Sequence, residues 1–448
     1  MNNKNWQTGV LFALSLLIGS CGGGGSGGSG GIGLAGTGIA VNAGASDASS
    51  TAAQSDGATS AGGVSSSGAS GGVSAAAAAG GDDGSGVGSG GTGVSSASAA
   101  GIGSADGFGS VIVNGVRYNT DSAVFNIQDA PELLLGMSVK VTGPVNSNFT
   151  AGTATTVESA ADLRGTVSNI DLPSGTFSLL GTTVSTDGET VWADASSLFG
   201  IAAGSTLQIW GLPAAPGMLR ATRIAQVGPA AGSILTGSVQ NLDKAAGIFS
   251  IGTLNVNYAN ALFADGLDAA TLANGTIVRV RGDRLASAGA LKAVTIQSWY
   301  PLAQVSGQAA TLDGVVTDYA GLVSLKVLGV PVDAGAAQIT GGPNSSIGNG
   351  VKVEVAGIFS GGVLRATKVK IRHVPGTGGP SSFALIGTVG AFNSAADFRI
   401  RGQPVDASGQ GVMFQNGTAA NLGNGTKVTV TGSQVVNGVL VASTVTFN

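Results

Sequence analysis

The sequence predicts an all-β protein: five tandem, small antiparallel β-barrels that follow a disordered Gly/Ser/Ala tether. Three observations carry that expectation. Apolar and polar residues alternate at period two between Gly and Asn-Gly punctuation, the mark of short half-buried strands joined by tight hairpins. A motif G-x-x-[V/L]-x-[V/I]-x-G recurs five times, and the 86 residues from Gly22 to Gly107 contain no Lys, Arg or aromatic side chain.

The chain starts with Lys4 in a polar stretch, an apolar run from Gly9 to Ile18, and then Cys21, the only cysteine. That build is a secretory signal, too short to span a bilayer. Ile18, Gly19 and Ser20 resemble the lipobox of bacterial lipoproteins, which implies that Cys21 is lipidated and becomes the mature N-terminus. Gly22 after the cysteine resembles lipoproteins sent to the outer membrane. The alternative is an ordinary signal peptide with a free thiol. With one cysteine, an intramolecular disulfide is excluded.

Residues 22–107 hold too few large apolar side chains to build a core and read as a flexible tether. As a coil they would span roughly 50 Å root-mean-square. "GIGLAG" from Gly31, "GVGSGG" from Gly86 and "GGSGG" from Gly24 match nucleotide-binding and nucleophile-elbow patterns. None has the strand and helix that give such patterns meaning. Residues 1–107 have a net charge of −4 and residues 108–448 balance 19 basic against 19 acidic side chains, which argues against a global polyanion-binding field.

The five motif copies begin at Gly136, Gly204, Gly275, Gly350 and Gly425, at spacings of 68, 71, 75 and 75 residues. A second element follows each: "GTATTV" from Gly152, "LRATRI" from Leu219, "LKAVTI" from Leu291, "LRATKV" from Leu364 and "LVASTV" from Leu440. A third, such as "GTVSNI" at Gly165 and "GVVTDY" at Gly314, precedes the motif in repeats two to five; repeat one has the shorter entry "FGSVIVNGVRY" from Phe108. The expected organisation is a signal peptide over 1–20, a lipidated cysteine and tether over 21–107, and repeats over 108–163, 164–232, 233–304, 305–379 and 380–448.

A sheet of five or six strands in about 70 residues must close to hide its edges. Each unit is therefore expected as an OB-like barrel, resembling the oligonucleotide/oligosaccharide-binding fold, or as a compact sandwich, with the five as beads in partial contact. The lipobox, the glycine-rich tether, "GFGSVIVNGVRY" and the "G-x-x-V-x-V-x-G…L-x-A-T-x-V" units together resemble bacterial lipoproteins of the family called domain of unknown function 5666. The resemblance covers Gly107 to the C-terminus and implies fold and location, without catalytic residues to carry over.

Candidate chemistry is sparse. His373 is the only histidine and has no cysteine to join it in a metal site, and no elbow accompanies it in a triad. Asp187 with Glu189 and Asp265 with Asp268 are the nearest carboxylate pairs, in segments where turn chemistry also explains the acids. The "NGT" triplets at Asn274, Asn416 and Asn424 sit where hairpins turn. No catalytic residue, metal or cofactor is assigned.

Surface recognition remains. In the motif, the third and fifth residues after the first Gly are expected inward, which leaves Gln208, Trp210, Arg279, Arg281 and Glu354 on the outward face. Trp210, Arg279 and Arg281 form a candidate contact set for a sugar or base, or else cap the next repeat. Lys368, Lys370 and Arg372 form a basic stripe in repeat four, either a polyanion site or solvated edge charges. The sequence thus predicts a non-enzymatic, membrane-anchored envelope lipoprotein, structural or adhesive, with an oligosaccharide- or polyanion-binding module as the alternative. Its expected partners are a membrane, through Cys21, and an envelope glycan or polyanion; with few aromatics, nothing favours nucleic acid.

Overall fold

Each repeat closes its hydrogen bonds into a ring, in which the first long strand pairs with the second and the third pairs with the second and with a short strand. The computed structural model describes residues 96–229, 232–283, 289–375 and 383–448. In repeat four, Ala309–Thr317 pairs with Leu325–Val327, and that strand with Val330–Asp333. Val330–Asp333 runs parallel to Val363–His373, which pairs with Lys352–Ser360, and this strand returns to Ala309–Thr317. The same five-membered ring forms in every repeat. A short sixth strand lies parallel to the last one, further along: Val124–Ile127, Val191–Trp192, Leu262–Ala264, Gln338–Thr340 and Met413–Gln415.

The motif supplies the ring's bend. Its first glycine has φ between +78° and +90° in all five copies, a conformation that a Cβ disfavours. Its second glycine marks a β-bulge in repeats two to five, where the register slips. A Cβ added at Gly357 would sit 2.2 Å from the Arg365 carbonyl oxygen. Bulging at that place curves the long hairpin, which a small barrel needs in order to close. Asn274, Asn349 and Asn424, each just before the first glycine, accept the backbone N–H of Leu242, Tyr319 and Phe392 at 2.9–3.0 Å. Asn416 is a turn residue with φ +58°.

The chain is all-β, but the rings are not separate barrels. Repeats one, four and five share one continuous 19-stranded sheet, and repeats two and three share a 13-stranded one. Repeats two and three join where Ile234 and Leu235 pair with Arg164 and Leu163, and a single apolar core runs through both. All described residues fall in one compact unit. The expectation of five beads is overturned because the strand edges that closure leaves free are paired between repeats.

The tether boundary also moves. Ser96–Phe108, all but its last residue assigned to the tether from composition, is a 13-residue strand. This lead strand is antiparallel to Ser138–Val145 and parallel to the first strands of repeats four and five, at Ala99–Ile102 and at Gly107–Phe108. Small residues are what its crowded position requires. A Cβ added at Gly103 would lie 2.0 Å from Asn114 Oδ1, and one at Gly107 would lie 2.1 Å from the Ala384 carbonyl oxygen. The signal peptide, Cys21 and the rest of the tether lie outside the described residues. Among the described residues, no helix is long and apolar enough to cross a membrane.

Candidate functional site

The motif's inward positions are filled as expected: Val139, Val141, Leu207, Ile209, Val278, Val280, Val428 and Val430 are fully buried. The outward positions are not a free surface. Gln208, Trp210, Arg279 and Glu354 are all below 9% exposed, because the outer face of one ring is covered by another. The polar groups of Gln208, Arg279 and Glu354 meet in three inter-repeat junctions, two buried and one part-buried.

The first is built on Asp162, which has no exposed surface. Its Oδ1 accepts from Arg279 Nη2 at 2.8 Å and Trp299 Nε1 at 2.7 Å, and its Oδ2 from Ser138 Oγ at 2.5 Å and the Gly211 N–H at 2.8 Å. Repeats one, two and three thus converge on one carboxylate. The Arg279 guanidinium lies 5.0 Å from the centre of the Tyr300 ring, whose hydroxyl donates to the Ser138 carbonyl at 2.9 Å. A buried charge held by four donors is tolerable only while they all remain.

Asp129 makes the second. Arg281 Nη2 reaches it at 2.6 Å and Arg164 Nη2 at 2.8 Å, while Gln208 Nε2 donates to its carbonyl at 2.8 Å. Burial pushes this carboxyl up, but Arg281 and Arg164 outweigh it and hold the group below the ordinary carboxylate range.

The third joins the lead strand to repeats two and four. Arg220 Nη2 pairs with Asp187 at 2.5 Å and Glu189 at 2.9 Å; Lys352 Nζ with Glu189 at 2.9 Å and Asp313 at 3.2 Å; Arg372 with Glu354 at 3.2 Å and Glu189 at 3.5 Å. Asp106 of the lead strand enters the same group and receives a short hydrogen bond of 2.5 Å from Ser104 Oγ. Burial pushes its carboxyl up to about 7; Lys352 and Arg372 pull it back, and Asp313 and Glu354 add to the rise.

These placements correct the contact sets. Trp210 is buried with Met137, Ala161 and Ile234, a plug between repeats. Arg279 and Arg281 are held by Asp162 and Asp129. The basic stripe is divided: Arg372 is inside the third junction, Lys368 Nζ donates to the Asn148 carbonyl of repeat one at 2.7 Å, and Lys370, with its side chain 44% exposed, pairs with Glu354 at 3.9 Å on the edge of that junction. The acid pairs are divided as well. Asp187 and Glu189 share Arg220, while Asp265 accepts from Gln297 Nε2 at 3.1 Å and Asp268 caps the Thr271 N–H at 2.6 Å. Half-buried His373 lines a cleft of about 520 Å³ between repeats two and four. Among the described residues, no cluster of three or more His, Cys, Asp or Glu is arranged to hold a metal ion.

A cleft of about 740 Å³ lies between the sixth strand of repeat one and, from repeat three, the residue after its sixth strand, Asp265, with Gln297 and Ser298 of its last long strand. Phe125, Asn126 and Gln128 stand on one side, Asp265 and Gln297 on the other, with the Lys140–Glu158 ion pair (3.4 Å) at the rim. Phe125 is 45% exposed, an aromatic surface beside amide and carboxylate groups. Sequence reasoning missed this cleft, because it arises where two repeats face each other.

Closed β-rings fused through buried charge define a tandem β-repeat protein. The chain carries tandem domains of the family described as domain of unknown function (DUF5666), whose model matches residues 164–225, 313–370 and 386–446. These are repeats two, four and five. No curated protein matches the chain.

Proposed function

We propose that this chain is a non-enzymatic lipoprotein of the bacterial outer membrane, anchored through Cys21, whose tether presents the fused β-repeats as one stiff structural or adhesive element. The observation that carries this reading is the use of charge: Asp162, Asp129, Glu189 and their arginine and lysine partners join repeats to one another. Separating repeats joined in this way would leave uncompensated charges on both sides, which favours a single fixed arrangement. Labelling cells with a palmitate analogue tests the anchor. The expected outcome is labelling and membrane retention of the native chain, both lost in Cys21→Ala; a labelled, membrane-bound Cys21→Ala chain overturns it.

A second reading rests on the cleft between repeats one and three. An exposed aromatic beside amides and acids is the chemistry that holds an extended neutral or weakly charged oligosaccharide, by stacking and by hydrogen bonds to hydroxyls. Binding to envelope glycans that survives physiological salt and falls at least tenfold in Phe125→Ala supports it. Unchanged binding in that variant removes it.

A further inference from the structure

The five sixth strands are equivalent by register: Phe125, Trp192, Phe263, Ile339 and Phe414 lie opposite Val157, Ile224, Ile296, Val369 and Val445, the last residue of the second sequence element. The residue before each points away from its ring, as alternation along a strand requires. In repeats one, three and five this residue is a free apolar side chain, Val124 at 58% exposure, Leu262 at 70% and Met413 at 59%. In repeat two the counterpart, Val191, is fully buried.

The same chain shows what covers it. The hairpin turn Asn437–Gly438 of repeat five sits on the sixth strand of repeat two, and both its residues have positive φ (+48° and +75°), as a type I′ turn requires. The Gly438 N–H donates to the Trp192 carbonyl and the Asn437 N–H to the Ala195 carbonyl, both at 2.9 Å. The Val191 side chain is enclosed by Leu135 and Gly136 of repeat one together with the core of repeat five, and a Cβ added at Gly136 would lie 2.5 Å from Val191 Cγ2. A turn laid on a strand edge is a short form of strand addition: backbone bonds give attachment and the outward apolar residue gives contact area.

A matching turn stands uncovered. Gly361–Gly362 joins the last two strands of repeat four with φ of +59° and +77°, and a Cβ added at Gly361 would meet nothing within 4 Å. The Gly361 N–H rests on the Ser306 hydroxyl at 3.1 Å, a contact that a carbonyl acceptor replaces without loss. In repeat four itself, the sixth strand begins with polar Gln338 and the adjacent Lys368 bonds the repeat-one loop at Asn148.

We propose that the sixth strands of repeats one, three and five are self-association sites, each receiving the Gly361–Gly362 turn of a second copy of this chain as repeat two receives Asn437–Gly438. Donor turn and acceptor edge lie on different repeats, so the contact is head-to-tail, the kind that builds rings or open chains of copies rather than an isologous two-fold dimer. Each contact is small and therefore weak, and a copy that donates one turn while offering three edges lets the assembly branch. The inference is independent of the lipid anchor.

The test uses the full chain with Cys21→Ser, so that neither acyl groups nor a native thiol drives association. Sedimentation velocity from about 1 µM to 1 mM, the range of weak interfaces, is expected to show mass rising with concentration. A Val124→Lys, Leu262→Lys, Met413→Lys chain, altered only at exposed positions, is expected to associate at least tenfold more weakly. In the same background, Leu262→Cys with Ser360→Cys is expected to yield disulfide-linked multimers under mild oxidation. A chain that stays monomeric throughout, association unchanged by the three lysines, or failure of the cysteine pair to cross-link overturns the proposal.

Discussion

Arg279 and Asp162 stand 2.8 Å apart across 117 residues of chain, and neither is more than 2% exposed. The pair joins repeat three to the boundary between repeats one and two, and Trp299, Ser138 and Gly211 complete its shell. Asp162→Ala leaves a buried guanidinium without its counter-charge. We expect a loss of about 3–5 kcal/mol of folding stability, while an Asp162→Leu, Arg279→Met double substitution recovers only the part due to the unpaired guanidinium, because Trp299, Ser138 and Gly211 still lose their acceptor. Denaturant unfolding of the single and double variants checks both.

Asp106 makes stability depend on pH. Its carboxyl is raised from 3.8 to about 7 in the folded chain, so between those values the folded state binds more protons than the unfolded state. Its contribution therefore becomes less favourable as pH rises from about 4 to 7 and is constant above. Asp106→Asn, which keeps the Ser104 contact without the charge, is expected to melt higher than the native chain at pH 8 and to match it near pH 3. Melting temperatures across that range give the answer; an offset independent of pH assigns Asp106 no titrating role.

Asn169, Asn241 and Asp318 occupy the left-handed region at the same bend of the first strand in repeats two to four, with φ near +49°, and repeat five places Ala391 there at +45°. Alanine pays a steric penalty in that conformation that asparagine largely avoids. Ala391→Asn is expected to stabilise the chain by about 0.5–1 kcal/mol, measured by the urea midpoint at unchanged slope.

Trp210 fills the space between Met137, Ala161 and Ile234. Trp210→Ala is expected to cost about 3–5 kcal/mol through the cavity it leaves. Glycan affinity of the folded variant, measured below its melting temperature, is expected to stay at the native value, in contrast to Phe125→Ala.

Much of the ring was legible in the sequence. Alternation gave the strands and the Gly and Asn-Gly punctuation gave the hairpin turns, whereas the bulge at the second motif glycine and the Asn brace before the first emerge only from the strand register and the side-chain contacts. What also escaped was everything set by one repeat meeting another. An outward strand position reads as solvent-facing from local pattern alone, and Arg279, Gln208 and Glu354 became interior only because a second ring covers them. A signal was present: these places hold Arg, Gln and Glu where repeat five has Thr429, and charge at one point of a repeat marks a special neighbour. The lead strand escaped because Gly, Ala and Ser signal disorder when no partner is known. Its existence was implied by repeat one, which lacked the first strand that the other four possess.

The lead strand also determines how the molecule bears load. Tension applied through the residues before Ser96 enters along the strand axis, while its ladders to Ser138–Val145 and Ala309–Thr317 run alongside that axis. The hydrogen bonds are then strained together in shear instead of opening one after another from an end. A pull on the N-terminal side is shared between repeats one and four at the point of entry, which makes the most nondescript stretch of sequence the mechanical clamp of the protein.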